Sequence, residues 1–239
     1  LAYQPIVSAD RNKLLAAEAL LRWRQPDGSY ISPAEFVPIA EESDLILSVG
    51  EFALDEACRQ LSAWRAAGIP VPSICVNVAK AQLVAGDFTQ TVKDALDRNG
   101  LRPERLELEI SERGVIAGDS DVIEHLERIF DLGVRLAIDD FGSGDAAIAY
   151  LKELPVHVLK LDRSYTAGLT ASPKDQAIVS AAIVLGRKLN LRVVAEGVES
   201  VEQLELLRQL DCEAIQGFLI SRPVPSDDLA ALLKKPHKS

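Results

Sequence analysis

The chain of 239 residues contains no methionine, has three histidines and three cysteines, and draws only 5% of its residues from the aromatic types. Each scarcity narrows the reading. Cys58, Cys75 and Cys212 are an odd number, lie in apolar or helical surroundings and lack paired ligand spacing, which argues against a disulfide framework and against a thiolate zinc centre. A run of about 18 apolar residues is missing, as is a basic leader before an apolar segment. A soluble cytoplasmic domain that makes no membrane contact itself is therefore expected. Positive charge is short: 26 Lys and Arg stand against 36 Asp and Glu, a formal charge of −10. Duplex nucleic acid is thereby an improbable partner, because a phosphate backbone rewards clustered cations. A chain that lacks methionine and opens at Leu1 inside an apolar run is expected to be a domain of a longer protein, whose other parts are sensory or membrane-bound.

What the chain does have is apolar material, 48% of its residues, enough for one sizeable core over residues 1–233, with 234–239 reading as a tail. Eight short apolar runs recur: Leu1 to Val7, Leu15 to Trp23, Ser73 to Val78, Leu106 to Ile110, Val134 to Ile138, Val156 to Leu161, Leu191 to Ala195 and Ala214 to Leu219. The first two are so close that antiparallel pairing is expected. Helical signals separate most of the others. Ser32-Pro33-Ala34-Glu35 reads as a capping box with proline at the first helical position and Phe36, Val37 and Ala40 on the apolar face. A helix from about Leu45 stops at Gly68-Ile69-Pro70, another carries the stripe Val122, Ile123, Leu126, Ile129 and Phe130, and Ser172-Pro173 opens a further one that Asn190 closes. Repeated strand and helix units of this number predict an α/β fold, a (β/α)8 TIM-like barrel.

Polar residues close the apolar runs: Glu18, Asn77, Glu109, Asp139 with Asp140, Lys160 with Asp162, Glu196 and Gln216. From Asn77 onward each follows the last by one strand and helix unit, so all converge on the C-terminal mouth, where barrels of this kind place their chemistry. A single acid after a strand is ordinarily a helix cap or a solvated loop residue. Several acids in one cavity repel one another unless cations intervene. Oxygen ligands without His or Cys select Mg²⁺ or Mn²⁺, and adjacent aspartates allow two ions to share a ligand, an arrangement suited to phosphodiester hydrolysis. Lys160 has two readings, a strand-end lysine that snorkels to water or a catalytic cation. His125 and His157 read as structural, and Gly142-Ser143-Gly144 is ordinary turn chemistry.

The same positions carry ordered motifs: Gln4-Pro5-Ile6, Glu18-Ala19-Leu20-Leu21-Arg22-Trp23, Asn77-Val78, Glu107-Leu108-Glu109-Ile110-Ser111-Glu112, Asp139-Asp140-Phe141-Gly142-Ser143-Gly144, Lys160-Leu161-Asp162-Arg163, Ala195-Glu196-Gly197-Val198-Glu199 and Gln216-Gly217-Phe218. In these the chain resembles the EAL family of cyclic di-GMP phosphodiesterases along its whole length. The resemblance implies a modified barrel with an antiparallel first strand that opens cyclic di-GMP to linear pGpG with two Mg²⁺ or Mn²⁺ ions. It implies Glu18, Asn77, Glu109 and Asp139 as ligands of one ion, and Asp139, Asp140 and Glu196 as ligands of the second. Lys160 would orient the attacking water and Glu196 would act as base. Gln4, Leu20, Arg22, Asp162, Glu199 and Gln216 would contact substrate, and Glu112 would steady the loop after Asp140. It also implies a homodimer packed through Ala146, Ala147, Ile148 and Tyr150, and sensory or GGDEF-type domains elsewhere in the full protein. After Gly144 the family usually carries a Tyr-Ser-Ser-Leu-Ser-like stretch, and Asp145 to Ala149 depart from it. The competing readings are a receptor that binds cyclic di-GMP without cutting it, and an enolase-like metal enzyme that uses Asn77, Glu109, Asp139 and a lysine base.

Overall fold

β1 (Ala2–Ser8) and β2 (Leu14–Leu20) form an antiparallel hairpin in which Gln4 stands opposite Glu18. The computed structural model describes residues 1–115, 120–142 and 151–234. The apolar run beyond Leu20 leaves the sheet: Trp23 and Arg24 make β3, which pairs only with β4 (Tyr30–Ile31) in a separate ribbon. Trp23 rests edge-on against Phe36 of the first helix, Pro33–Glu42, and is 52% exposed. That helix begins on Ser32, whose side chain accepts from the Ala34 N–H, so the cap is present without the reciprocal arm from Glu35 that a full box requires. The long helix Leu45–Ala66 then buries Leu54, Leu61 and Trp64 against the strands.

The remaining strands are β5 (Ile74–Val78), β6 (Leu106–Ser111), β7 (Arg135–Phe141), β8 (Val158–Leu161), β9 (Arg192–Ala195) and β10 (Ala214–Ile215). Eight strands close into a barrel in the order β1, β10, β9, β8, β7, β6, β5, β2, with β1 antiparallel to both neighbours and the others parallel. Side chains alternate between the two faces of each strand, so the apolar residues divide into two cores. The larger lies between strands and helices. The smaller, inside the barrel, gathers Ile6, Ala16, Cys75, Ala137, Val158, Val194 and Ala214. The three cysteines are buried as free thiols. Among the described residues no helix is long and apolar enough to cross a membrane, and Lys234 closes the last helix, Ser226–Lys234.

Candidate active site

Strand alternation places the next layer toward the C-terminal mouth. On β2, Ala16 faces the interior and therefore so does Glu18; on β6 Glu109, on β8 Lys160 and, just past the end of β9, Glu196 follow in the same way. Lys160 is 0% exposed. Its Nζ lies 2.7 Å from Glu109 Oε2, 2.8 Å from Glu196 Oε1, and 3.5 Å from both Glu18 Oε2 and Asp139 Oδ1. A snorkelling lysine is therefore excluded: the ammonium sits at the centre of the acids.

Asp139 and Asp140 are consecutive, and in a regular strand they would point to opposite faces. They do not, because β7 bulges between Ile138 and Phe141 where it pairs with β8, and Asp140 takes φ 55°. Carboxylate oxygens of Asp139, Asp140 and Glu196 can thereby lie within 4.8 Å of one another. The chain behind the bulge is pinned from two sides. Glu112 Oε2 accepts the Gly142 N–H at 2.8 Å, and the Tyr165 hydroxyl donates to the Gly142 carbonyl at 2.5 Å. Gly142 has φ 96°, and a Cβ there would stand 2.6 Å from Cε2 of the Tyr165 ring. Tyr165 had no motif to announce it; its place one turn into the helix after β8 is the available signal.

Around Glu18 the amides converge. Asn77 Nδ2 donates to Glu18 Oε1 at 2.8 Å, and Gln216 Nε2 donates to Glu18 Oε2 at 2.5 Å and to Gln4 Oε1 at 3.1 Å. Gln4 in turn donates to the Ser221 carbonyl at 3.0 Å. Leu20 and Arg22 flank this group half-buried, with the guanidinium donating to the Leu21 carbonyl, and Glu199 stands exposed at the rim. Asp162 is engaged as the cap of helix Arg163–Gly168, accepting from the Ser164 backbone and hydroxyl. Its charge still reaches Asp140. The contact face anticipated at Ala146, Ala147, Ile148 and Tyr150 lies outside the described residues.

The electrostatics follow from burial. Glu109 is held well above the ordinary carboxyl range by burial, reinforced by Glu18. Burial, with Asp139 and Glu18 alongside, raises Glu196 to about 8 against the pull of Lys160, and burial with Asp139 raises Asp140 to about 6. Glu18 goes the other way: burial opposes its charge, but Lys160, Gln216 and Asn77 outweigh it. Lys160 is raised despite burial by the four carboxylates. Four acids facing one ammonium are short of positive charge, and Glu109 Oε1 is buried with no hydrogen-bond partner. Divalent cations would supply both the charge and the missing partner, and the oxygen-only donor set suits Mg²⁺ or Mn²⁺. Glu107, given above only within its motif and without a role, lies one interior step below Glu109, accepts from the Cys75 thiol at 3.5 Å and is raised by burial. The Glu-x-Glu spacing on one strand is the signal that could have found it.

The far wall is set by Gly217. Val198 N–H donates to the Gln216 carbonyl at 3.0 Å, and a Cβ on Gly217 would collide with the Val198 backbone. Gly217→Ala is expected to cost roughly 3 kcal/mol of stability and to displace Gln216 from Glu18. A denaturant midpoint equal to the parent's would show that the approach is not needed.

The EAL domain family matches residues 1–223. The chain is 42% identical over 231 residues to the bifunctional diguanylate cyclase/cyclic di-GMP phosphodiesterase MucR of Pseudomonas aeruginosa, covering 97% of this chain and 34% of that protein. It is 36% identical over 229 residues to the oxygen sensor protein DosP of Escherichia coli, covering 96% and 29%. The chain thus spans about a third of the length of the curated relatives it matches. Among solved structures, the PaMucR phosphodiesterase in its c-di-GMP complex superimposes with a TM-score of 0.91 at 42% identity, over 96% of this chain and 93% of that one. The EAL domain of Mycobacterium smegmatis DcpA does so at 0.81 and 33% identity, over 98% and 94%. With this barrel, this cluster at its mouth and a match over nearly its whole length, the chain belongs to the EAL domain family.

Proposed function

We propose that this domain is a metal-dependent phosphodiesterase that opens cyclic di-GMP to the linear dinucleotide pGpG. The observation that carries the reading is the ring of Glu18, Glu109, Asp139 and Glu196 around the buried Lys160 at the C-terminal mouth. The likeness to relatives named as cyclic di-GMP phosphodiesterases supports the substrate.

Glu18, Asn77, Glu109 and Asp139 would hold one ion, and Asp139, Asp140 and Glu196 a second. Bound there, the ions lower the pKa of water and neutralise charge on the phosphoryl oxygens. The side chains supply the rest. Lys160 orients the attacking water and places positive charge where the phosphorane builds negative charge. Glu196 accepts the proton from that water; the new P–O bond forms as the bond from phosphorus to the 3′ oxygen breaks, and that oxygen takes up a proton from solvent and leaves as the hydroxyl. Asn77 and Gln216 fix Glu18 by hydrogen bonds, Gln4 braces Gln216, and Leu20, Arg22, Asp162 and Glu199 border the mouth where the guanylate arms would lie. Glu112 and Tyr165 hold the chain behind Asp140 in its bulge, which keeps the second acid aimed inward. Other domains of a longer protein would set the input to this reaction.

Incubating the domain with cyclic di-GMP and Mg²⁺ or Mn²⁺, followed by chromatography of the nucleotides, tests the proposal. Accumulation of pGpG is expected. Tight binding of cyclic di-GMP with no linear product would make the domain a receptor, and neither binding nor product would end the reading altogether.

A further inference from the structure

Toward its N-terminal mouth the barrel interior adds arginines beside the buried Glu107. Ala137 and Val194 face the interior, so Arg135 and Arg192, two residues before them on β7 and β9, face it too, at the mouth opposite the acids. His157 lies between them in the sheet, its backbone N–H donating to the Leu136 carbonyl and its carbonyl accepting from Arg192 N–H.

We propose that this N-terminal mouth is a second ligand site, in which Arg135 and Arg192 bind a phosphate monoester or a polyphosphate. Two cavities open there, of about 420 and 310 Å³, and the two arginines belong to the walls of both. Those volumes fall at the size of small-molecule sites. The described walls carry six cations, Lys13, Arg102, Arg105, Arg135, Arg187 and Arg192, against two carboxylates, Glu104 and Glu213, with the buried Glu107, the register partner of Arg135, as a third acid facing both arginines, in a chain whose formal charge is −10.

The other arginines are already engaged. Arg105 Nη1 donates to the Pro72 carbonyl at 2.6 Å, Arg102 lies 3.6 Å from Glu104, and Arg187 lies 3.4 Å from Asp211. Among the described residues, neither Arg135 nor Arg192 has a carboxylate within 4.0 Å, and neither guanidinium donates a hydrogen bond. Both are half-buried, so their donors are partly withdrawn from water. His157, on the outer face of the sheet, borders the larger cavity. Its Nδ1 accepts from Leu136 N–H at 3.2 Å, which leaves the ring proton on Nε2, and stacking on Phe130 at 5.0 Å fixes the ring. Paired guanidinium forks match the peripheral oxygens of a phosphate better than the two oxygens of a single carboxylate, which selects the ligand class.

Calorimetric titration of the domain with inorganic tripolyphosphate, after removal of divalent metal so that the acidic mouth repels the anion, provides the test. One-site saturable binding is expected, weakened at least tenfold in Arg135→Gln/Arg192→Gln, with cyclic di-GMP hydrolysis under replete metal within twofold of the parent. If the glutamine pair does not fold, Arg135→Lys/Arg192→Lys keeps the charge, loses the fork, and is expected to weaken binding severalfold. Titration is also expected to shift the His157 ring resonances. Absence of saturable binding by the parent, or equal affinity in a folded double variant, overturns the proposal. Tighter binding of a hexaglutamate peptide than of tripolyphosphate would do so as well, by making the face a docking surface for an acidic protein segment.

Discussion

Lys160→Ala is expected to lower single-turnover hydrolysis of cyclic di-GMP by about 10²–10³-fold while changing its affinity, measured in Ca²⁺, by less than about tenfold. The ammonium contacts Glu109 and Glu196 within 2.8 Å, so what it contributes to the reaction is charge already in place when negative charge grows on the phosphoryl group. Ground-state binding is expected to draw as well on the residues that border the mouth, and so to be less sensitive. The substitution has a second, separable effect. It strips the one ammonium that, among the described residues, contacts the four carboxylates, and removal of one partner from a buried ionic group costs about 3–5 kcal/mol. Metal-free Lys160→Ala is therefore expected to unfold at lower denaturant than the parent, and Mg²⁺ is expected to restore more stability to the variant than to the parent. Equal losses in affinity and rate would assign Lys160 a holding role, and an unchanged rate would remove it from the mechanism.

Much of this site is legible in the sequence, because the barrel reduces to a rule: a polar residue that ends an apolar run lies at the mouth. Glu18, Glu109, Glu196 and Gln216 obey it, and strand alternation carries each to the interior. The run Leu15 to Trp23 was read as one strand, yet sheet pairing stops at Leu20 and Trp23 turns to pack on Phe36. Hydrophobicity marks what is buried, and an aromatic ring against a neighbouring helix satisfies it as well as a strand does. Likewise Ala214 to Leu219 shrinks to two paired residues, since Gly217 brings the chain against the Val198 backbone and ends the ladder.

Three features depended on contacts that sequence spacing does not encode. The bulge at Asp139-Asp140 is a register event between β7 and β8, and only it lets consecutive acids share a face. The depth of Lys160 depends on four acids from other strands converging on it, without which a lysine at a strand end would reach for water. Asp162, within a substrate-contact motif, turns out to cap a helix, the commonest occupation for an aspartate after a strand.

Removal of divalent metal is expected to reduce turnover below about one-thousandth of the replete rate, because the acids at the mouth would otherwise face a dianionic substrate with a single ammonium among them. Burial raises Glu109 and Glu196 in the cation-free site, so both drift toward the protonated form and neither is then a full ligand nor, for Glu196, a free base. The loss is thus one of charge and of proton acceptor together, and it is expected to reverse when Mg²⁺ or Mn²⁺ returns. The direct measurement is the hydrolysis rate of protein shown metal-free by elemental analysis, before and after readdition of the ion. Abolition with full recovery is the predicted result; undiminished production of pGpG by the metal-free protein would contradict the account.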